Sequence, residues 1–290
     1  MEPRIAFIDV GDDARLQMYT FGEGKPSLLI TAGLHGGEAT GVYVAHRLID
    51  LLCESEVRGE VRIIARSNPT AFGRLQRTSP YDEIDLNRIF PGDAEGTLSQ
   101  RTAAAIWEEA VKSDLIVDLH CCGLWSRSYT LALYEEFPFV REFTQQLSVP
   151  VVIESGGTRG QMFVEANHRG IPAVIIELTG GGAGGVIDLP AAEEAFGAVA
   201  GMMRLRGFIP GEAPAPQPGY YGKLISVRVP HDGVFVPAVS AGQAVRAGQA
   251  LGHVDGTPLN SPVDGMAMIM RPASYVFKGM PLLMVAERKA

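Results

Sequence analysis

Short apolar runs alternate with stretches of helical periodicity over the first two thirds of the chain, and this alternation restricts the fold more than any other feature. The run at 27–34 is typical of a strand buried on both faces, and apolar residues at helical spacing follow it over 38–54. The same order recurs downstream, with strands predicted at Val61–Ala65, Leu115–Leu119, Val151–Glu154 and Ala173–Leu178 and helices predicted at 98–112 and 190–206. Such alternation predicts an α/β fold in which helices flank a mixed, largely parallel sheet.

The character of the sequence changes after residue 206. The segment 207–219 predicts a stiff linker because it is rich in proline, with Pro210, Pro214, Pro216 and Pro218. Beyond it, short β-rich runs alternate with Gly and Pro turns, at Leu224–Val229, Val234–Val239, Ala250–Val254, Met266–Met270 and Leu282–Val285. The sequence therefore predicts a larger domain at 1–206, a linker at 207–219 and a small all-β, barrel-sandwich-like domain at 220–290.

The C-terminal part resembles biotinyl/lipoyl-type barrels over Gly233–Gly265. Carrier domains of that type present a modified lysine on a hairpin tip, and no lysine lies between Lys223 and Lys278. A swinging-arm carrier is therefore disfavoured, and we expect a lid or an assembly surface instead.

Charge and cysteine content exclude several classes of protein. With 25 basic and 33 acidic side chains the net charge is -8, which disfavours nucleic acid or an anionic membrane surface as a partner. No run approaches the roughly 18 apolar residues of a membrane span. The N-terminus lacks the features of a secretory signal, and three cysteines are too few for a disulfide framework. These features predict a cytoplasmic protein.

Two segments that follow buried strands carry metal-ligating residues. His35 and Glu38 are three residues apart, which places both side chains on one face of a helical turn. His120 ends another predicted strand, and the carboxyl ends of parallel strands line the binding crevice of open α/β sheets. Taken alone, a His-x-x-Glu motif also arises by chance, and His120 could simply end its strand.

A long polar stretch from Ser67 to Gly96 separates these two segments and contains Arg77-Thr-Ser-Pro and Asp85-Leu-Asn-Arg88, the latter followed by Phe-Pro-Gly. In this order the motifs resemble the zinc carboxypeptidase superfamily, and within it the succinylglutamate desuccinylase/aspartoacylase family. The resemblance covers about residues 27–185. It implies that His35, Glu38 and His120 bind one Zn²⁺ ion and that Asn87 and Arg88 hold a substrate carboxylate.

The resemblance also implies two catalytic residues. Arg77 would contact the developing oxyanion, although Arg74 is close enough in sequence to leave that assignment open. Glu177, at the end of an otherwise buried run, would be the general base. Burial of its carboxylate predicts a raised pKa.

Three other features have simpler interpretations. The glycine run at 180–185 fits G-x-G-x-x-G but opens no helix directly, so we expect a mobile or tightly packed loop rather than a dinucleotide site. If His120 faces a metal, strand alternation turns Cys121 away. Asp118 shares the face of His120 and either orients a histidine or is hydrogen-bonded structure.

These observations predict a zinc-dependent amidohydrolase that removes the acyl group from an N-acyl amino acid or a similar small carboxylate. A metallocarboxypeptidase acting on peptide C-termini is the alternative within the same chemistry. A non-catalytic metal- or ligand-binding protein is the alternative from another class. The sequence leaves the oligomeric state open, a homo-oligomer included.

Overall fold

A computed structural model describes residues 2–11, 14–213 and 215–289. The helices are α1 (Ala39–Cys53), α2 (Pro69–Phe72), α3 (Leu98–Ala110), α4 (Pro138–Thr144), α5 (Met162–His168) and α6 (Leu189–Leu205), with a 3₁₀ turn at Leu86–Arg88. The strands up to α6 are β1 (Arg4–Gly11), β2 (Ala14–Glu23), β3 (Ser27–Ala32), β4 (Gly59–Ile64), β5 (Leu115–Gly123), β6 (Tyr129–Ala132), β7 (Val151–Glu154), β8 (Ala173–Gly181) and β9 (Val186–Ile187). Those after α6 are β10 (Gly219–Arg228), β11 (Gly233–Pro237), β12 (Ala244–Val245), β13 (Ala250–Val254), β14 (Thr257–Asn260), β15 (Gly265–Met270), β16 (Ser274–Val276) and β17 (Pro281–Arg288).

One large sheet organises the described part of the chain, in the order β1-β2-β4-β3-β5-β8-β6-β7-β10-β17-β15-β12, with β9 paired to β8. Neighbours from β4 to β8 run parallel, as do β6, β7 and β10, whereas β6 is antiparallel to β8. This confirms the predicted mixed, largely parallel sheet.

Helices cover both faces of the sheet. Every residue of β3 is buried, which explains why its sequence is a continuous apolar run. One core packs α1, α4 and α6 against one face, and a second core packs α3 and α5 against the other. The start of α3 is stabilised by a capping box between Thr97 and Gln100. Across the described ranges, no helix combines the length and the apolar character needed to cross a bilayer.

The C-terminal region is all-β, as predicted, and it shares the large sheet. Strand β10 pairs in parallel with β7, from Gly219 opposite Val151 to Tyr221 opposite Ile153, and β17, β15 and β12 follow it. A second sheet of β14, β13, β11 and β16 packs over these strands, with Phe235 and Leu251 in the core between them. The sheet is thus continuous across the predicted linker 207–219, whose Pro214 lies outside the described residues. A domain boundary at that linker stays a prediction.

The antiparallel pair β1 and β2 was not expected from the sequence. Burial alternates along β2, as in a half-covered strand, and the pairing of β2 with β4 extends the sheet at one edge. The predicted loop at 67–96 contains the short helix α2 and the 3₁₀ turn, both capped by side chains, Asn68 and Asp85 respectively.

Strands β3, β5 and β8 are adjacent and parallel, so their carboxyl ends meet at one edge. Helix α1 follows β3 and crosses β5 closely. A Cβ atom at Gly41 would lie 2.8 Å from the carbonyl oxygen of Leu119, one residue before His120.

Gly41 therefore sets the distance between α1 and β5. We expect Gly41→Ala to destabilise the protein by about 1–3 kcal/mol, because helix and strand must separate. Gly197→Ala is the matched control, since Gly197 lies inside α6 with nothing within 4 Å of its Cβ position. The control should stabilise by about 0.5–1 kcal/mol. Urea unfolding measures both, and equal effects of the two variants would contradict this close approach.

Candidate active site

Three buried side chains meet at the carboxyl ends of β3 and β5. His35 lies in the turn after β3, Glu38 is the N-cap residue of α1, and His120 lies near the end of β5. Nδ1 of His35 is 2.8 Å from Oε1 of Glu38, and Nδ1 of His120 is 3.0 Å from Oε2 of Glu38. These ligand atoms all lie within 4.8 Å of one another. The carboxylate of Glu38 makes no capping hydrogen bond, so it is available to the two imidazoles.

The chemistry of this set fits a metal ion. Oε2 of Glu38 is buried and accepts no hydrogen bond within the described ranges, although it faces Nδ1 of His120. A buried carboxylate oxygen without a donor is costly unless a cation compensates it. His35, Glu38 and His120 form the group that could hold such an ion.

Each histidine is held from behind by a second carboxylate. Nε2 of His35 is 3.0 Å from Oδ1 of Asp85, and Nε2 of His120 is 2.8 Å from Oδ2 of Asp118. The hydroxyl of Thr31 donates to Oδ1 of Asp118 at 2.7 Å. A carboxylate at Nε2 favours a proton on that atom and leaves Nδ1 facing Glu38, the arrangement usual for metal-binding histidines.

The charges in this cluster shift its pKa values strongly. Burial opposes ionisation of Glu38, but the charges of His120 and His35, together with the hydrogen bond to His35, lower its pKa to about 2. Burial also disfavours the charged form of His120, yet Asp118 and Glu38 raise its pKa well above the ordinary value. The pKa of His35 is raised in the same way, since Asp85 and Glu38 outweigh burial.

Glu177 faces the same site from the neighbouring strand. It pairs with His120 across β5 and β8. It is half-buried and, among the described residues, forms no hydrogen bond or ion pair. Burial, assisted by the charge of Glu38, raises the pKa of Glu177 to about 7 against the lowering effect of His120. The upward shift has the cause that the sequence predicts.

Arg77 is tied to the cluster through Asp85. Its Nε and Nη2 donate to Oδ2 of Asp85 at 2.9 and 2.8 Å, while Oδ1 of Asp85 also accepts from the backbone N–H of Asn87. Arg77 lines both cavities beside the cluster. The exposed Arg74 is not among the described residues that line either of them. Sequence reasoning missed Asp85. Its only signal was a carboxylate at the start of Asp-Leu-Asn-Arg.

Asn87 and Arg88 lie beside the cluster, and their side chains make different contacts. The side-chain oxygen of Asn87 accepts the backbone N–H of Met162 at 3.0 Å, which fixes the start of α5. Arg88 is exposed, and its Nη1 donates to the carbonyl oxygen of Asn87 at 2.7 Å. Within the described part of the chain its guanidinium has no carboxylate partner, so it is the cation available to an anionic ligand in this cavity.

Two cavities flank the cluster and share His35, Glu38, Arg77 and Cys121. One, of about 300 Å³, is also lined by Arg88, Glu177 and Tyr129. Leu224, Ile269 and Met284, from the C-terminal strands, complete its lining. The other, of about 390 Å³, is lined by small or apolar residues, namely Gly37, Leu75, Gly123, Gly182 and Ala183. The sequence carried no signal for the C-terminal residues, because apolar side chains in β-strands ordinarily indicate core.

The glycine run packs tightly against the cluster. A Cβ at Gly181 would lie 3.0 Å from both the carbonyl oxygen of Gly37 and the Cβ of Cys121, and one at Gly180 would lie 2.2 Å from Oγ1 of Thr40. Cys121 reaches the cavity wall although strand alternation turns it away from His120. Burial raises the pKa of its thiol to about 12, so this cysteine is a neutral thiol in the structure described.

The chain is similar to a family of known enzymes. The model of the succinylglutamate desuccinylase/aspartoacylase catalytic domain matches residues 24–206. The N-alpha-acetyl-L-2,4-diaminobutyric acid deacetylase of Halomonas elongata is 28% identical over 247 residues, which span 80% of this chain and 71% of that protein. The succinylglutamate desuccinylase of Pseudomonas paraeruginosa is 31% identical over 117 residues, 37% of this chain and 34% of that enzyme.

Solved structures share the fold over the whole chain. A succinylglutamate desuccinylase/aspartoacylase from Rhodobacter sphaeroides superposes with a TM-score of 0.83 at 25% identity, covering 100% of this chain and 95% of that one. The product-bound ectoine utilization protein of Ruegeria pomeroyi superposes with a TM-score of 0.83 at 22% identity, covering 99% and 96%. The two enzymes named above are deacylases that act on amide bonds. Because the family model covers more than half of the sequence, the chain belongs to the succinylglutamate desuccinylase/aspartoacylase family.

Proposed function

We propose that this protein is a zinc-dependent deacylase that hydrolyses the amide bond of an N-acyl amino acid or a similar small carboxylate. The observation that carries the proposal is the pairing of Glu177, whose pKa is raised to about 7, with the His35–Glu38–His120 set on adjacent strand ends. Arg88, which has no carboxylate partner among the described residues, lies in the same cavity. Metal, base and anion-binding group are the three parts that such a hydrolysis needs.

His35, Glu38 and His120 would hold the metal. Two imidazoles and one carboxylate are a donor set typical of catalytic zinc. Zinc bound there would lower the pKa of water to about 7 and polarise the substrate carbonyl. Asp85 and Asp118 keep the two imidazoles oriented with Nδ1 towards Glu38.

Glu177 would move the proton. A carboxylate with a pKa near the working pH accepts a proton from the attacking water and can return it to the leaving amine nitrogen. No hydrogen bond within the described structure competes for its oxygens. The neighbouring Tyr129, which is buried, pairs with Glu177 across β6 and β8.

Each arginine would stabilise a different negative charge, one on the substrate carboxylate and the other on the developing oxyanion. Arg88 is free of carboxylates and would bind the substrate carboxylate, with Asn87 positioned beside it. Arg77, held by Asp85, would direct its remaining N–H groups at the developing oxyanion. One well-placed donor of this kind is worth about 3–4 kcal/mol of transition-state stabilisation.

Cavity size favours a small substrate over a peptide. The space beside Glu177 is about 300 Å³ and is bounded by C-terminal strands, so little room is left for a polypeptide upstream of the cleaved bond. The carboxypeptidase alternative is therefore the weaker one. A purely ligand-binding role does not explain why the carboxylate of Glu177 is unpaired in the described structure and has a raised pKa.

Replacement of Glu177 tests its role as the base. Glu177→Gln should keep about one zinc per chain by elemental analysis but lower kcat on N-acyl amino acids by roughly 10²–10⁴-fold, since proton transfer is lost. Glu154→Gln is the matched control, because Glu154 also ends a strand of this sheet but lines neither cavity. If Glu177→Gln turns over substrate as fast as this control, Glu177 is not the base. If gently purified protein contains no divalent metal, the proposed metal site is wrong.

A second prediction uses stability instead of activity. Because the folded protein binds the Glu177 proton more tightly than the unfolded chain, ionisation of Glu177 costs stability as pH rises from 4.5 to about 7, and the full cost remains above pH 7. Metal-free Glu177→Gln should therefore be more stable than the metal-free parent at pH 8, by on the order of 1–3 kcal/mol. Below pH 4.5 this difference should vanish. Urea unfolding in chelator at both pH values measures it, and a loss of stability at pH 8 would contradict the buried, unpaired carboxylate.

A further inference from the structure

Three apolar side chains from the C-terminal strands line the cavity that contains Glu177. They are Leu224 in β10, Ile269 in β15 and Met284 in β17, here called the apolar wall. Met284 pairs with Ser226 on one side and with Ile269 on the other, and Leu224 lies two residues before Ser226. Since residues two apart share a face of a strand, all three side chains project from one face of the sheet. Each is only half-buried, although its neighbours in these strands include fully buried residues.

Backbone hydrogen bonds attach this wall to the catalytic strands. The loop after β5 pairs with β15: the N–H of Arg127 donates to the carbonyl oxygen of Met268 at 2.9 Å, and the N–H of Met270 donates to that of Trp125 at 2.8 Å. Ser126 forms a bridge with Ile269 itself. The wall is therefore held in a set position relative to His120, which lies on β5.

The charged groups of this cavity are already assigned. Glu38 belongs to the metal set, Glu177 is the base, and Arg77 is paired with Asp85. Among the described lining residues this leaves Arg88 as the single cation without a carboxylate partner, and the three wall side chains themselves carry no charge. Arg88 can match a substrate carboxylate, whereas a second carboxylate in contact with the wall would lose its water without gaining a partner.

We propose that the apolar wall binds the side chain of the amino-acid part of the substrate, so that the enzyme selects N-acyl amino acids with uncharged, apolar side chains. This inference rests on the proposed deacylase function. The carboxylate and the side chain of an amino acid leave the same Cα atom, so binding of the carboxylate to Arg88 directs the side chain into the cavity that the wall lines. The acyl group then lies in the second cavity, among Gly37, Gly182 and Ala183.

The proposed selectivity differs from the substrates named for the relatives. A diaminobutyric acid carries a second amine, and a succinylglutamate carries additional carboxylates. Neither group finds a counter-charge at the wall formed by Leu224, Ile269 and Met284.

The test is a substrate panel on zinc-loaded protein with acetyl as the constant acyl group. N-acetyl-leucine and N-acetylmethionine should exceed N-acetylglycine in kcat/KM by at least about 100-fold, since each buried methylene contributes roughly 10-fold or more. The N-acetyl derivatives of glutamate and 2,4-diaminobutyrate should not exceed N-acetylglycine. A parallel panel on leucine compares acetyl, propionyl and succinyl groups.

A charge on the wall should reverse the preference. Met284→Glu should lower kcat/KM for N-acetyl-leucine at least 10-fold and raise that for the diaminobutyrate derivative. Val234→Glu is the matched control, since Val234 is an exposed apolar residue of β11 outside both cavities. Calorimetric binding of N-acetyl-leucine and N-acetylglutamate to Glu177→Gln gives a readout that does not depend on turnover, and the first should bind more tightly.

The outcomes separate the two proposals. Hydrolysis of charged side chains as readily as apolar ones, or a flat response to the side chain with a steep response to the acyl group, would overturn the wall inference and leave the deacylase function standing. Absence of hydrolysis across both panels would overturn the proposed function and the inference with it. If Met284→Glu fails to fold, the panel on the parent protein and the binding measurement still decide.

Discussion

The buried carboxylate of Glu38, set between two imidazoles, is the interaction on which the site depends. An ionised carboxylate at this depth is unfavourable unless cations lie beside it, and the neighbouring His120 and His35 lower the pKa of Glu38 despite its burial. Each imidazole is anchored in turn by an acid on its far side. The result is an unbroken polar chain through the carboxyl edge of the sheet, running Arg77, Asp85, His35, Glu38, His120, Asp118, Thr31.

That chain explains why two carboxylates a short distance apart behave oppositely. Glu38 is surrounded by imidazoles, and its pKa falls to about 2, whereas Glu177 has no partner in the described structure, and its pKa rises to about 7. Divergent pKa values in one pocket indicate divergent roles. The carboxylate that stays charged suits a ligand, and the one that titrates near neutrality suits a base. The difference between the two pKa values depends on β5 and β8, which hold His120 and Glu177 opposite each other.

Much of this was predictable from the sequence, because its strongest signals are local. Strands such as β3, buried on both faces, must be apolar throughout, and a polar residue where such a run ends, such as His120 or Glu177, stands out. What could not be predicted depends on register between distant segments. The role of Asp85 arises only when the polar stretch folds back on His35, 50 residues away. Likewise, the sequence around Leu224 and Met284 predicts core residues. Only the pairing of β10 with β17 shows that both side chains line the cavity.

The continuity of the large sheet suits the C-terminal region to the role in substrate selection that is proposed for it. The metal set, the base and the arginines all come from residues before β10, while the apolar wall comes wholly from β10 and later strands. Because β10 extends the same sheet by pairing with β7, and β15 is bonded to the loop after β5, the wall cannot shift without disturbing backbone hydrogen bonds. Substitutions on the wall can change which side chain is accepted while the groups that move protons stay in place. Under the two proposals, substrate choice and bond cleavage would be encoded in separate parts of one sheet.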